Sequence, residues 1–508
     1  MVNSEPAARL PETRRPPWSL TLGSLGLLAV LGAGLSKALL FRNLEYYGSD
    51  LFSFLEMTWS WLYAGRLLHD NAYGYHAAIH NFYALLALSP LTIALGAYGL
   101  IVGLVLVHGA AVLRVAGCRG LDLSARLTVL GGALGPLAFF VFDDTKWGFH
   151  PELLYPPLAL LLAVELLDGW TWRSLAVAAA IVLIKEDGAV VCAAVVLAHA
   201  AWRFGTLRQT SVAESRQALR SGLVSLLILA VVFLAGMALL ALLSEHYSAT
   251  QATSSKRVAA GVRLLSRTMS GEGPAARVSR VREALQAYAV MSALILVPLG
   301  RRFPRGLLLL LVAVPPLLAV LMVSSAKYLF GMMIWAPRIA TLQVAAVAAL
   351  VFASWSPPGT RAARPAVVVA LVLLSWAGQA ALLHRLEYPL WSRLGAVASV
   401  GRSPESPLPP LEDRFLRCVA DRLPRGLPVS VPRRARPIFH QQSIVLPGRE
   451  AKAWHPPRLR VVGASDEIDA RGEAFCRGQP VGAVVVEAEC GLLSLVASCA
   501  PTPGTGRR

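Results

Sequence analysis

A small set of ionisable side chains stands at the borders of long apolar stretches in this sequence. In chain order they are Asp50, Glu56, His80, Asp143, Asp144, His150, Glu152, Lys185, Glu186 and Asp187. An ionisable group at membrane depth is costly and usually functional, so each of these residues is a candidate for chemistry.

The carboxylates in this set suit proton transfer and cation binding. Asp50 lies in an aromatic-rich segment just after the first apolar stretch, and the carboxylate among these aromatic rings makes it a candidate for catalysis, with Glu56 as the second candidate. Asp143 and Asp144 offer the oxygen ligands that a divalent metal ion prefers. Both aspartates also fit a simpler role, that of capping a loop.

The remaining members of the set are candidates for binding a substrate. They are His80, His150, Glu152, Lys185, Glu186 and Asp187. Two of these assignments have a plain structural alternative. His80 by itself fits an ordinary interfacial histidine, and Lys185, Glu186 and Asp187 fit the polar tip of a helical hairpin within the apolar stretch 175–200.

The composition predicts that membrane-spanning helices position these side chains. Of the 508 residues, 55% are hydrophobic and only 15% are charged, whereas a soluble domain has about a quarter of its residues charged. The apolar stretches 19–41, 221–243, 306–322 and 365–383 are each near the length of about 20 residues that crosses a bilayer. This pattern excludes a large soluble protein with buried helices.

The net charge of +18 comes mostly from arginine, and its distribution predicts the topology. A soluble protein with this charge would suggest nucleic acid, but no nucleic-acid motif is present, and we predict no nucleic-acid partner. Arginines cluster at the N-terminus and in the segments 114–126, 172–173, 203–220, 301–305 and 361–364. Placing all these segments in the cytoplasm predicts about eleven spans, a cytoplasmic N-terminus and an external C-terminus in the inner (plasma) membrane.

One stretch, 80–113, is too long for a single straight span. Two spans across it would place Arg114 and Arg119 outside, against the charge rule. We predict a break at Pro90, with residues 80–96 at the outer interface and residues 97–115 crossing the membrane.

The predicted outer loop 245–282 departs from the charge rule, because basic residues normally stay inside. It contains seven of them, and we select Arg263, Arg267 and Arg280 as candidates to bind an anionic phosphate. The alternative is an amphipathic helix whose arginines face lipid headgroups.

The last part of the chain predicts a small α/β domain. A helix is expected over 412–423, and strands over 427–431, 459–462 and 481–486. The predicted division is a cytoplasmic segment 1–18, a transmembrane domain 19–384 and an extracytoplasmic domain 385–508. Four of the six cysteines fall in that last domain, which predicts at least one disulfide there and free thiols at Cys118 and Cys192.

At its candidate residues the chain resembles a family of predicted prokaryotic membrane proteins, the domain-of-unknown-function family numbered twenty seventy-nine. The motifs that carry the resemblance are Asp50-Leu51 with Phe54 and Glu56, His80, Phe149-His150-Pro151-Glu152 and Lys185-Glu186-Asp187. The resemblance covers roughly 47–353 and, more loosely, the terminal domain. The chain has Glu56 where that family usually has glutamine, and Lys327 where a histidine is expected.

That family is similar to the GT-C class of glycosyltransferases, which use polyprenyl-phosphate sugars. The resemblance implies a GT-C-like helical domain that moves a sugar from a polyprenyl-phosphate carrier to an unknown acceptor on the outer face. Asp50 would then deprotonate the acceptor, while Lys185, the outer-loop arginines or a divalent metal ion would meet the departing phosphate.

Two other functions remain open from the sequence. One is a transporter or flippase of a lipid-linked or small polar substrate, and the other is a non-catalytic membrane assembly protein. The transporter is disfavoured because the charges lie at the outer ends of spans and no inverted repeat is visible.

Overall fold

The computed structural model describes residues 17–71, 74–75, 80, 82–145, 147–185, 187–206, scattered positions between 220 and 242, 336–355, 364–402, 406–445 and the strands at 459–461, 481–484 and 496–499. Glu186, Arg263, Arg267 and Arg280 lie outside the described residues, as does the predicted span 306–322.

The described chain is mostly helical. Its α-helices are α1 (Pro17–Arg42), α2 (Ser49–Tyr63), α3 (Ser89–Leu95), α4 (Ala97–Ala116), α5 (Leu123–Ala133), α6 (Pro136–Asp143), α7 (Tyr155–Leu167), α8 (Trp172–Val182), α9 (Gly188–Thr206), α10 (Ala336–Ser354), α11 (Pro365–Arg385), α12 (Leu390–Gly395) and α13 (Pro410–Arg422). Short 3₁₀ helices lie at Tyr83–Leu88, Pro151–Leu154, Ala396–Ser399 and Arg433–Ala435. The strands are β1 (His69–Asp70), β2 (Gly74–Tyr75), β3 (Pro428–Ser430), β4 (Ser443–Ile444), β5 (Leu459–Val461), β6 (Val481–Val484) and β7 (Val496–Cys499).

Three of these helices, α1, α4 and α11, are long and apolar enough to cross a membrane. The pair α5–α6, bent by 42° at a short break, forms a fourth candidate span. Large apolar side chains stay exposed along α1 and α11, including Leu20, Leu25, Leu28, Val367, Leu373 and Leu374. Apolar surface of this kind is stable against lipid, so these helices suggest a membrane-embedded chain.

The described residues therefore hold three or four candidate spans, and the figure of about eleven stays a prediction. Other apolar helices in this part of the chain, such as α8 and the stretch Ile339–Ser354 of α10, are only 10–17 residues long. Each is shorter than the roughly 20 residues needed to cross the core of a bilayer without tilt or thinning.

The break before α4 confirms the predicted start of that span but moves the breaking residue. Pro90 lies in the first turn of α3, where proline is tolerated because the amide there has no helical partner. The chain turns instead at Gly96, whose φ of 60° is left-handed, and α4 begins at Ala97.

Helices α1 and α4 pack antiparallel and very closely. A Cβ at Gly26 would lie 2.5 Å from the side chain of Val112, and one at Gly34 would lie 2.3 Å from that of Val105. Small residues at such crossings let two helix backbones approach closely in a membrane. The start of α1 therefore lies beside the end of α4.

A group of arginines lies at one end of the helical bundle, in and beside the loops that join its helices. Helices α4, α7 and α10 end at one side, where α1, α5, α8 and α11 begin, and this is where Arg114, Arg119, Arg126, Arg173 and Arg364 are found. At that end the buried Arg126 donates to the carbonyl oxygens of Ala116, Cys118 and Leu121. The described arginines of the segments predicted to share one side of the membrane thus gather at one end of the helices.

The C-terminal part packs on the opposite end. The helix and the three strands predicted there are present as α13, β3, β5 and β6, with boundaries within a few residues of those predicted. The sheet has the order β4-β3-β5-β7-β6, with β3 parallel to β4 and β5, and β7 antiparallel to β5 and β6. Cys418 in α13 is disulfide-bonded, whereas Cys118 and Cys192 are free and buried, as predicted.

Candidate functional site

The loop between α6 and α7 carries the candidate site and is tightly folded. Asp144 ends α6 with a left-handed φ of 44°, and its carbonyl oxygen accepts hydrogen bonds from the amides of Trp147 and Gly148. Gly148 also has a positive φ, 81°, and a Cβ there would lie 2.6 Å from Leu51 of α2. The loop therefore presses against α2 and carries His150 to the start of that helix.

His150 joins two aspartates that are distant in sequence. Its Nδ1 atom lies 2.9 Å from Oδ2 of Asp144, and its Nε2 atom lies 3.4 Å from Oδ2 of Asp50 in the first turn of α2. Asp144 and His150 are buried, but the Asp50 side chain keeps 23% of its surface exposed. Asp144, His150 and Asp50 thus form a row, the Asp50–His150–Asp144 row, that runs from the interior outward and ends in a carboxylate that a solute can reach.

The surroundings favour a charged imidazole between the two carboxylates. Burial by itself lowers the pKa of His150, but the Asp144 carboxylate and hydrogen bonds with Asp144 and Asp50 outweigh it and raise the pKa to about 9. Aromatic rings enclose the imidazole, because Phe54 and Trp147 lie edge-on at 5.3 and 6.1 Å between ring centroids. These contacts hold the ring orientation that joins the two aspartates.

The tip between α8 and α9 docks beside this row. Nζ of Lys185 lies 2.6 Å from Oε1 of Glu152, and the Tyr155 hydroxyl donates to Asp187 at 2.5 Å. Burial raises the pKa of Glu152, but the ammonium of Lys185 and the imidazolium of His150 outweigh it and hold the pKa well below its usual range. Lys185 remains 20% exposed.

The hairpin alternative and the binding alternative for Lys185 and Asp187 are therefore both compatible with the structure. The two residues do form the turn between α8 and α9, and their side chains also reach the loop that holds His150.

His80 lies at the edge of the same region. Its ring is 4.9 Å from that of Phe82, Phe82 packs on Phe54 at 5.3 Å, and Phe54 contacts His150. The structure thus connects His80 to the row through two aromatic rings.

Asp143 is directed away from Asp144 and forms a separate buried cluster. Its carboxylate pairs with Arg393 of α12, with Nε at 2.5 Å, and accepts hydrogen bonds from the hydroxyls of Tyr46 and Tyr388. The Lys37 ammonium donates to the carbonyl oxygens of Phe142 and Asp143, each at 2.7 Å. This cluster, which we call the Asp143 cluster, fastens the segment after α11 to α1 and α6.

The predicted metal site at Asp143 and Asp144 is corrected by this geometry. One carboxylate is engaged by Arg393 and two tyrosines and the other by His150, so the pair does not face a common point. Among the residues that the structure describes, no three His, Cys, Asp or Glu side chains form a group that could hold a metal ion.

Glu56, the second candidate base, also has a different role. Its two carboxyl oxygens accept the backbone N–H groups of Asn71 and of Ile444 in β4, and the side chain is buried. Burial and the nearby Asp70 raise the pKa of Glu56 well above its usual range. The side chain connects α2 to the C-terminal sheet and is not accessible to an acceptor.

Sequence reasoning missed the partners of the Asp143 cluster. Arg393 lies 250 residues from Asp143 along the chain, and no local pattern relates the two. Lys37 did carry a signal, because it is an ionisable residue inside the first apolar stretch, where such a residue requires a partner.

No family model, no curated protein and no solved structure matches this chain. What the protein does is therefore inferred from its apolar helical bundle and from the Asp50–His150–Asp144 row at one end of that bundle.

Proposed function

We propose that this chain is a multi-pass membrane enzyme that transfers a sugar from a polyprenyl-phosphate carrier to an acceptor hydroxyl on the outer face of the membrane. The observation that carries the proposal is the Asp50 carboxylate, which is reachable from outside and is backed by buried His150 and Asp144. A reachable carboxylate held in this way at the end of apolar helices suits proton transfer beside a lipid substrate.

Asp50 would act as the general base. It accepts the proton of the acceptor hydroxyl as the bond between the acceptor oxygen and the anomeric carbon forms, as the base does in an inverting glycosidase. His150 orients Asp50, since its Nε2 atom lies 3.4 Å from Oδ2 of that carboxylate. Asp144 fixes the ring by holding its other nitrogen.

The leaving group needs positive charge rather than a proton. The bond between the anomeric carbon and the phosphate oxygen breaks, and the polyprenyl phosphate departs with the electron pair as an anion. Lys185 is a partly exposed cation beside the row, since it lies 2.6 Å from Glu152, and the pKa of Glu152 is lowered by His150 as well as by Lys185. Arg263, Arg267 and Arg280 are proposed to add to it.

The orientation is proposed from the arginines at one end of the bundle. Arg114, Arg119, Arg126, Arg173 and Arg364 lie at the end of the bundle away from the candidate site, and the positive-inside rule for short loops places that end in the cytoplasm. The site and the domain 385–508 would then be extracytoplasmic in the plasma membrane, with about eleven spans in total. Reporter fusions at Gly359 and Pro404 are expected to be active in opposite compartments, and activity in the same compartment would contradict the span count.

The decisive experiment compares Asp50→Asn with the wild-type protein in a transfer assay that uses a radiolabelled polyprenyl-phosphate sugar. An amide cannot accept the proton, so turnover is expected to fall by a factor of about 10² to 10⁴ with donor binding retained. Asp421→Asn, which removes an exposed carboxylate from α13, is the matched control and should leave turnover unchanged.

Two outcomes would contradict the proposal. Full turnover by Asp50→Asn would remove Asp50 as the base. Uptake of the lipid-linked sugar into proteoliposomes with no transfer to any acceptor would identify a transporter instead.

A further inference from the structure

A basic cavity lies at the end of the bundle that is far from the candidate site. It has a volume of about 460 Å³ and is lined by Leu113, Arg114, Gly117, Arg119, Asp168 and Arg173. These residues come from the end of α4, the end of α7 and the start of α8. Nothing in the proposed sugar transfer uses this cavity.

Two of the three arginines that line the cavity are exposed. Arg114 is held by Glu165 at 2.5 Å and by Asp168 at 3.1 Å, so both nearby carboxylates are engaged with it. Arg119 and Arg173 are exposed, and within the described part of the chain no carboxylate forms an ion pair with either of them. The cavity therefore offers positive charge to an anion.

Its position matches the headgroup level of a bilayer. Helix α4 has 20 residues, which at about 1.5 Å per residue spans about 30 Å, the thickness of a bilayer core. The amide of Ala97 at its start donates to His440 of the C-terminal part, so the cavity at its other end lies one core thickness away. Trp172 beside the cavity is 74% exposed, as expected for a tryptophan at a membrane interface.

The rim of the cavity is apolar on one side. Leu113 lines the cavity and is 49% exposed, and the Arg173 guanidinium lies 5.6 Å from the ring centroid of Trp172. A soluble anion would leave these apolar surfaces uncovered. The acyl chains of a lipid whose phosphate enters the cavity would cover them.

We propose that this cavity binds the phosphate headgroup of an anionic phospholipid from the adjoining leaflet. The phosphodiester would lie between Arg119 and Arg173, since the planar guanidinium fork suits phosphate oxygens. Basic pockets between membrane helices are the usual sites for anionic headgroups. Arg114 positions the end of α4 against α7 and is not offered as a direct ligand.

The test titrates the purified full-length protein with phosphatidylglycerol and with phosphatidylcholine and counts bound lipid by native mass spectrometry. The double variant Arg119→Gln/Arg173→Gln is expected to bind phosphatidylglycerol roughly 30-fold more weakly, because each surface arginine contributes about fivefold to the binding of an anionic membrane surface. Arg66→Gln, which removes an exposed arginine near the other end, is the matched control and should bind as the wild type does.

Three results would overturn the proposal. They are equal phosphatidylglycerol binding by the double variant and the control, equal binding of phosphatidylcholine and phosphatidylglycerol by the wild type, and thermal stabilisation by inorganic phosphate as strong as that by phosphatidylglycerol. The third would identify a site for a soluble anion. Both substituted arginines are exposed, so the double variant is expected to fold, and its elution from a sizing column checks this.

Discussion

The Asp143 cluster gives the sharpest prediction about stability, because it contains a buried ion pair between distant segments. Arg393→Gln removes the cation and leaves the Asp143 carboxylate with the hydroxyls of Tyr46 and Tyr388. Both members of the pair are buried, so water cannot replace the lost guanidinium. We expect the segment after α11 to lose its attachment to α1 and α6.

The magnitude follows from the geometry. Nε of Arg393 lies 2.5 Å from Oδ2 of Asp143, and Nη2 donates a hydrogen bond to Oδ1 at 3.1 Å, so the two charges are in direct contact. Removing one partner of a buried pair typically costs about 3–5 kcal/mol, since the other charge stays buried without compensation. Removing both charges costs less, so Asp143→Asn/Arg393→Gln should be more stable than the sum of the two single changes predicts.

The free energy of unfolding is measured by denaturant titration of the purified protein in detergent. Arg402→Gln is the control, because it removes an exposed arginine from the same segment. A loss of stability by Arg393→Gln no larger than that by Arg402→Gln would refute the reasoning. Strictly additive effects in the double variant would show that the two side chains do not interact.

Three further predictions concern the site and its supports. The raised pKa of His150 predicts that the stability lost by His150→Gln is greatest below pH 6.5 and disappears as the pH rises through about 9, which unfolding measured across that range will show. Glu56→Ala leaves the buried N–H groups of Asn71 and Ile444 without their acceptor, which should lower the free energy of unfolding by about 1–3 kcal/mol for each group. Glu56→Gln should lower it less, and equal losses in the same unfolding assay would contradict this. In unfolded, unreduced protein a maleimide should modify Cys118 and Cys192 and should reach Cys418 only after reduction, and labelling of Cys418 before reduction would disprove its disulfide.

Local patterns were sufficient to predict several elements of this fold. The apolar stretches predicted α1 and α11 within a few residues, because a continuous run of apolar side chains has few alternatives to a membrane helix. One of the two interpretations of Lys185 and Asp187, the tip of a helical hairpin, agrees with the turn between α8 and α9, because these polar residues interrupt an apolar stretch. The pattern predicted correctly that α4 begins at Ala97, but it assigned the break before α4 to Pro90. The chain turns at Gly96, and Pro90 is accommodated in the first turn of α3, where proline is tolerated.

The candidate site was only partly predictable. The sequence by itself determined that Asp50, Asp144 and His150 are costly groups beside apolar stretches and therefore candidates for a functional site. It did not determine which aspartate His150 would contact, or that Asp143 would be directed to Arg393 and away from Asp144.

Only the tertiary structure decided those roles. Asp143 and Asp144 are adjacent residues of the same type at the end of the same apolar stretch, so their side-chain chemistry does not distinguish their roles. The left-handed turn at Asp144 and the packing of α2 and α12 against the end of α6 direct one carboxylate to an imidazole and the other to a guanidinium. The physical reason is that a buried charge is stable only beside a partner, and Arg393, the partner of Asp143, lies 250 residues away in the chain.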